Sequence, residues 1–182
     1  ENNVKVKIEW INAEKIETDQ LINELKNVDG ILIPGGFGYR GIEGKIQAIK
    51  FARENDIPFF GICLGMQLSV IEISRNLIGK QDSNSTEFKA SNNPVVSLMT
   101  EWNNENKIEK RDLTSDKGGT MRLGAYRAIL KKGSRIHNIY NSDEISERHR
   151  HRYEVDLSYT KDFEQKGFHF SGMSPDNILP EV

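Results

Sequence analysis

The sequence predicts an α/β fold: an open, mostly parallel sheet with helices on both faces. Three observations predict it. Strand-like and helix-like stretches alternate through the first 79 residues. Two of the strands are continuous apolar runs, the habit of strands buried on both faces. Each of those runs ends in a glycine-rich corner that opens the next helix.

The elements follow in order. Val4-Lys5-Val6-Lys7-Ile8-Glu9-Trp10 alternates apolar and charged residues, the period of a half-buried strand. Thr18 stands where a helix N-cap belongs, with Leu21, Ile22 and Leu25 on the buried side. Gly30-Ile31-Leu32-Ile33-Pro34 is an apolar strand closed by a breaker. Ile42, Ile46, Ile49 and Ala52 recur at helical spacing, and Ile57 to Ile62 is a second apolar strand with Cys63 at its end. Leu68, Ile71 and Leu77 mark a helix stopped by Gly79. Gln81 to Asn93 turns polar, as a connection does. Val95 to Met99, Leu123 to Leu130 and Arg152 to Leu157 read as further strands, and the charged stretch Trp102 to Gly119 as an excursion or hairpin. No repeat and no linker divides the chain.

Composition bounds the function without naming it. A chain of 182 residues buries about 70% of its unfolded surface and needs no staple. Its single cysteine forbids an internal disulfide and points to a reducing compartment. No apolar run reaches the roughly 18 residues of a membrane span. The start Glu1-Asn2-Asn3 has no signal-peptide character. With 25 basic and 27 acidic side chains the charge is −2, so no broad nucleic-acid surface is expected.

The two glycine corners carry the chemistry. Gly36, Gly38 and Gly41 form a literal G-x-G-x-x-G, but the next strand ends in a thiol rather than the acid that would hold a ribose. A tight loop, or a row of backbone N–H groups facing a developing oxyanion, fits that corner better. Gly61-Ile62-Cys63-Leu64-Gly65 has the G-x-nucleophile-x-G spacing of a nucleophile elbow. Such a turn forces a sparsely allowed backbone at the nucleophile and leaves no room for side chains two residues either side. It also sets the sulfur over a helix N-terminus, whose partial positive charge favours thiolate. A buried structural cysteine is the alternative, and the paired glycines argue against it.

Gly61-Ile62-Cys63-Leu64-Gly65-Met66-Gln67 resembles the nucleophile segment of the class-I, triad-type glutamine amidotransferases, and Pro34-Gly35-Gly36-Phe37-Gly38 resembles their oxyanion loop. Other stretches are similar to the CTP synthase branch: Tyr39-Arg40-Gly41-Ile42-Glu43-Gly44, Asn84-Ser85-Thr86-Glu87-Phe88, Thr100-Glu101-Trp102, Gly118-Gly119-Thr120-Met121-Arg122-Leu123-Gly124 and Glu147-Arg148-His149-Arg150-His151-Arg152-Tyr153-Glu154. The likeness covers residues 4 to 155.

The resemblance implies that Cys63 attacks the side-chain amide of L-glutamine and that the N–H groups of Gly36 and Leu64 hold the oxyanion. Gly65, Met66 and Gln67 complete the substrate-facing elbow. Glu87 would meet the substrate's ammonium and Arg152 its carboxylate. Tyr39 and Arg40 fall in a loop near the site of GTP, the expected allosteric activator. ATP and Mg²⁺ would serve a separate synthetase domain that aminates UTP, and family members assemble as homotetramers. No cofactor is expected in this domain, and the expected location is the cytoplasm. In the family the base and its carboxylate lie in a His-Pro-Glu segment past the region matching Ser174-Pro175-Asp176, and no such segment occurs here. Residues 1–182 thus read as one partial glutaminase domain, incomplete at both ends and inactive alone. None of His137, His149, His151 and His169 is assigned as base. A GMP synthase-like amidotransferase and a non-catalytic glutamine- or partner-binding domain remain as alternatives.

Other constellations carry less. His149 and His151 would share one strand face with Tyr153, opposite Arg148, Arg150 and Arg152. A His-x-His pair lacks the third and fourth ligands of a zinc site, so no metal is assigned. A solvated strand with structural histidines is the expectation there. Asp143, Glu144 and Glu147 read as solvated acids near a turn.

Overall fold

A computed structural model describes residues 3–14, 18–98, 101–104, 107–110 and 121–182. Helix α1 (Thr18–Leu25) precedes strand β1 (Ile31–Ile33), helix α2 (Ile42–Glu54), strand β2 (Phe59–Gly61) and helix α3 (Leu64–Ile73). Then come β3 (Val96–Leu98), the β4–β5 hairpin (Glu101–Asn104, Lys107–Lys110), β6 (Arg122–Leu130), α4 (Arg135–Tyr140), β7 (Glu144–His151), β8 (Tyr153–Val155), α5 (Thr160–Gln165) and β9 (Gly172–Met173).

The core explains why α3 forms where it does. Its sequence LGMQLSVIEI is apolar nearly all round, the pattern of a helix with no solvent face. It packs against α2, β2, β3 and β8. Leu64, Leu68, Val70 and Ile71 of α3 meet Ile31 and Ile33 of β1, Ile42, Ile46, Ile49 and Ala52 of α2, and Val95, Val96, Val155 and Phe163. The helix's one acid, Glu72, is fully buried and has its charge matched by Arg53 of α2, whose Nη2 lies 2.8 Å away. A buried carboxylate without such a partner is strongly destabilising, so this pair fixes α3 against α2. Beyond Ile73 the helix widens into a π-helical turn (Ser74–Ile78) that ends at Gly79, with φ 87°.

Strands β1 and β2 run parallel, pairing Ile33 with Gly61. The expected strand–helix–strand–helix order is therefore present, and the α/β class stands. Two finer expectations are corrected. The remaining described ladders are antiparallel: β3 with β8, β4 with β5, and β6 with both β7 and β9. An apolar run marks burial and leaves strand direction open: only β4 and β5 follow each other closely, while β3 meets β8 and β6 meets β9 from distant parts of the chain. Nor are β1 and β2 covered on both faces among the described residues, since Leu32 is 57% and Phe60 62% exposed. Both helices lie on the Ile31–Ile33 side.

The alternating segment from Val4 to Trp10 forms no strand, and its four apolar side chains are exposed. Alternation marks an apolar side, but a strand also needs a neighbouring backbone, and no ladder reaches these residues among those described. Helix α1 begins at Thr18 and buries Leu25. The cap role of Thr18, the burial of Leu21 and residues 111–119 of the charged excursion fall outside what is described. No helix among the described residues is long and apolar enough to cross a membrane.

Leu68 is completely buried beneath the elbow. Leu68→Ala is expected to cost about 2–5 kcal/mol, as cavities in packed cores do. Denaturant unfolding with an unchanged m-value would measure it.

Candidate active site

The parallel ends of β1 and β2 bring the two glycine corners together. Ile62 N–H donates to the Ile33 carbonyl at 2.9 Å, and one residue later the chain turns sharply. Cys63 has φ 52° and ψ −103°, and α3 starts at Leu64. A non-glycine residue there carries strain of about 1–3 kcal/mol, held by its surroundings. Those surroundings are visible. A Cβ on Gly61 would sit 2.6 Å from the Gly65 carbonyl carbon, and one on Gly65 only 2.3 Å from the Ile33 oxygen. Both obstacles are backbone and cannot step aside. The two glycines are needed for close approach, since neither is in the left-handed region. The turn is closed by Gly65 N–H to the Ile62 oxygen at 2.9 Å and Gln67 N–H to the Cys63 oxygen at 3.1 Å. The thiol remains partly exposed.

Across from the thiol lies the Gly35–Gly38 loop. A Cβ on Gly35 would stand 3.9 Å from Cys63 Sγ, and one on Gly36 3.3 Å from the buried Leu64 side chain. Gly38, at φ 79°, donates its N–H to Glu87 Oε1 at 2.8 Å. Phe37 lies under the Arg150 guanidinium, 5.6 Å from ring centre to Cζ. Gln67 is buried, and its amide nitrogen donates to the Tyr153 carbonyl at 2.7 Å, tying α3 to β8. Arg152 sits at the bend between β7 and β8. Cys63, Leu64, Gly65, Met66 and Gln67 thus share the elbow, and Gly36 and Glu87 are joined to it through the loop.

A third wall comes from β7. His149 and His151 share one face of β7, as the alternation requires, but that face is buried: they are 8% and 7% exposed. The reading of a solvated strand is corrected. Pairing with β6 sets His151 opposite Arg122 and turns both inward. Tyr153 leaves that face, because the bend at Arg152 starts a new strand paired with β3.

His151 Nδ1 lies 3.0 Å from Glu154 Oε1. Arg122 Nη1 reaches Glu154 Oε1 at 3.4 Å, and the guanidinium also pairs with Glu181. Burial alone would push the His151 imidazole down. Its interactions with Cys63 and Glu154 override burial and raise it to about 10. Neighbouring His149 goes the other way. Burial first, then the Arg122 and His151 charges, push it down to about 3. Its Nε2 is 3.1 Å from Glu181 Oε2. That carboxylate is already claimed by Arg122, so the contact is read as a neutral imidazole donating a hydrogen bond. Burial also holds the Glu181 carboxyl above the usual range, against the pull of Arg122. Sequence spacing offered one signal for this cluster: His151 and Glu154 are three apart at a strand junction. The burial that gives the pair meaning has no local signature.

Asp143, read as merely solvated, accepts from His137 Nε2 at 2.9 Å and pairs with Lys132. Among the described residues no group of three or more His, Cys, Asp or Glu is arranged to hold a metal ion.

A family model described as Glutamine amidotransferase class-I matches residues 1–182. This chain belongs to that family. It is 56% identical over 181 residues to a CTP synthase of Paramagnetospirillum magneticum and 58% identical over 182 residues to one of Nitrobacter hamburgensis. Both alignments take in 100% of this chain and 34% of the relative, so the chain spans about a third of those proteins. Among solved structures, the glutaminase domain of Trypanosoma brucei CTPS with bound acivicin is similar at TM-score 0.83 and 39% identity, covering 98% of this chain and 66% of that one.

The two histidines of this amidotransferase predict opposite pH limbs. The lowered folded value of His149 contributes stability above 6.5 that is lost as pH falls toward about 3. The raised value of His151 contributes stability below 6.5 that is lost as pH rises through about 10. His149→Gln should flatten the acid limb of a stability–pH curve and His151→Gln the alkaline limb, read from unfolding midpoints between pH 4 and 10.

Proposed function

We propose that this chain is the glutaminase part of a CTP synthase. The observation that carries the reading is a partly exposed Cys63 held at positive φ beneath a glycine loop. The acivicin-bound neighbour, whose ligand is a glutamine analogue, supports glutamine as substrate.

Cys63 Sγ adds to the side-chain amide carbon of glutamine. The C–N bond then breaks, the proton lost by the thiol ends on the leaving nitrogen to give ammonia, and a γ-glutamyl thioester remains. Water cleaves the C–S bond, releasing glutamate and restoring the thiol. The N–H groups of Gly36 and Leu64 would hold the oxyanion, a term worth about 3 kcal/mol per donor. Glu87 spends Oε1 on Gly38. Its second oxygen meets no donor among the described residues and would receive the substrate's ammonium. Arg152 would face the α-carboxylate, so a cation and an anion at separate points orient the zwitterion. Gln67, Gly65 and Met66 would complete the substrate-facing elbow.

Ammonia must stay unprotonated to act as nucleophile, so the product passes to a synthetase part of the same protein. There ATP, with Mg²⁺, activates UTP for amination to CTP. GTP would act at the Tyr39–Arg40 loop as an activator, and the whole enzyme would assemble as a homotetramer.

Cys63→Ala in the full-length enzyme should cut glutamine-dependent CTP formation below about a thousandth. Ammonia-dependent formation should persist, and loss of both would count against two separate sites. Labelling by a glutamine-analogue electrophile should vanish in Cys63→Ser; surviving label would defeat the assignment. Glu87→Gln should raise the glutamine KM about 10- to 100-fold, the value of one charge-assisted contact. An unchanged KM would remove Glu87 from the site.

A further inference from the structure

We propose that Glu87 is a positioning residue that latches the glycine loop through Gly38 and so sets the aim of the Gly36 N–H. This role rests on the reading of the site as a glutaminase: the carboxylate assigned to the substrate's ammonium also holds the loop assigned to the oxyanion.

The loop is tied down at both ends. Before it, Ile62 N–H donates to the Ile33 carbonyl at 2.9 Å; after it, Lys45 N–H donates to the Gly41 carbonyl at 3.0 Å, in the first turn of α2. Between these ties, Gly38 N–H donates to Glu87 Oε1 at 2.8 Å. No other N–H from Gly35 to Gly41 has a hydrogen-bond partner among the described residues. Packing does not hold the loop at Gly38 either. A Cβ there would meet nothing within 4 Å. Its φ of 79° belongs to the region that glycine enters without a steric penalty, so the backbone itself is free to leave it. A hydrogen bond to a carboxylate is about twice as strong as one between neutral groups. That bond is therefore what fixes the chain two residues past Gly36.

The anchor, by contrast, is firm. Glu87 N–H donates to Ser85 Oγ at 3.2 Å, and Ser85 is fully buried. On one side of Glu87, Thr86 N–H donates to the Val96 carbonyl at 3.0 Å, and Thr86 Oγ1 accepts from Leu98 N–H at 3.1 Å, so this turn is bound to β3. On the other side, Phe88 packs against the core. Glu87 thus stands on the body of the protein and lends its rigidity to a loop that has little of its own. Its two oxygens divide the work. Oε1 takes Gly38, and Oε2 would take the ammonium of glutamine. Recognition at one end of the substrate and placement of an oxyanion donor at the other are then coupled through one side chain.

Two substitutions in the full-length enzyme separate the roles. Glu87→Gln loses the charge that meets the ammonium but keeps an oxygen for Gly38 N–H. Glu87→Ala loses both. Each should raise the glutamine KM. Glu87→Ala should also lower kcat about tenfold or more relative to Glu87→Gln, because a misplaced oxyanion donor is felt in the transition state. Equal kcat values in the two variants overturn the latch. Iodoacetamide, which needs no oxyanion donor, should alkylate Cys63 equally fast in both; a slower rate in Glu87→Ala places the damage at the thiol and overturns it too. Amide hydrogen exchange, read by mass spectrometry on peptides spanning Pro34 to Gly41, gives a readout free of turnover. The loop should exchange faster in Glu87→Ala than in the native enzyme, with Glu87→Gln closer to native. Unchanged exchange in Glu87→Ala overturns the latch. If Glu87→Ala is not native by circular dichroism, Glu87→Leu, which also lacks an acceptor, takes its place under the same criteria. The two readings fail separately. A native enzyme that leaves glutamine intact, with faster loop exchange in Glu87→Ala, sinks the glutaminase reading and leaves the loop anchored by Glu87. Normal hydrolysis with equal kcat values and unchanged exchange does the reverse.

Discussion

One backbone torsion organises this molecule. Cys63 takes a positive φ because β2 must hand its chain to α3 with no connecting loop. The turn is possible only because Gly61 and Gly65 let three stretches of backbone touch. Any larger residue at either place would strike main-chain atoms. The strain at the cysteine is opposed by what lies beneath it, a helix that is apolar nearly all round and packed on several sides. The Arg53–Glu72 pair and the buried Gln67 amide lock that helix to α2 and β8.

From that point the site is assembled from distant parts of the chain. The glycine loop after β1 arrives through the parallel β1–β2 pair, and Glu87 reaches back to Gly38 across 49 residues of sequence. The His151 wall comes from the antiparallel second half. Parallel and antiparallel pairing therefore serve different ends here. One presents Cys63, and the other carries charged groups toward it.

The buried cluster shows how two chemically identical side chains acquire opposite behaviour. His149 and His151 are two residues apart on one strand face. His149 meets a carboxylate held closely by Arg122, whereas Arg122 reaches the carboxylate beside His151 only at 3.4 Å. Burial acts on both against the charged form, and only His151 has the partners to overcome it.

The sequence by itself determined the glycine-flanked turn at Cys63, the glycine loop after Pro34, the order of the first strands and helices, and the family. Those features are local: a glycine two residues either side of a cysteine, or an apolar run closed by proline, states its own steric reason. It did not determine which strands pair antiparallel, that Val4–Trp10 stays unpaired among the described residues, or that the His149–His151 face is buried. Each of these depends on what the rest of the chain lays against the segment. An alternating strand reads the same whether its polar face meets water or an Arg122–Glu154–Glu181 cluster. Only the tertiary structure decided between those surroundings, because desolvation and charge pairing act through space and leave no mark on residue spacing.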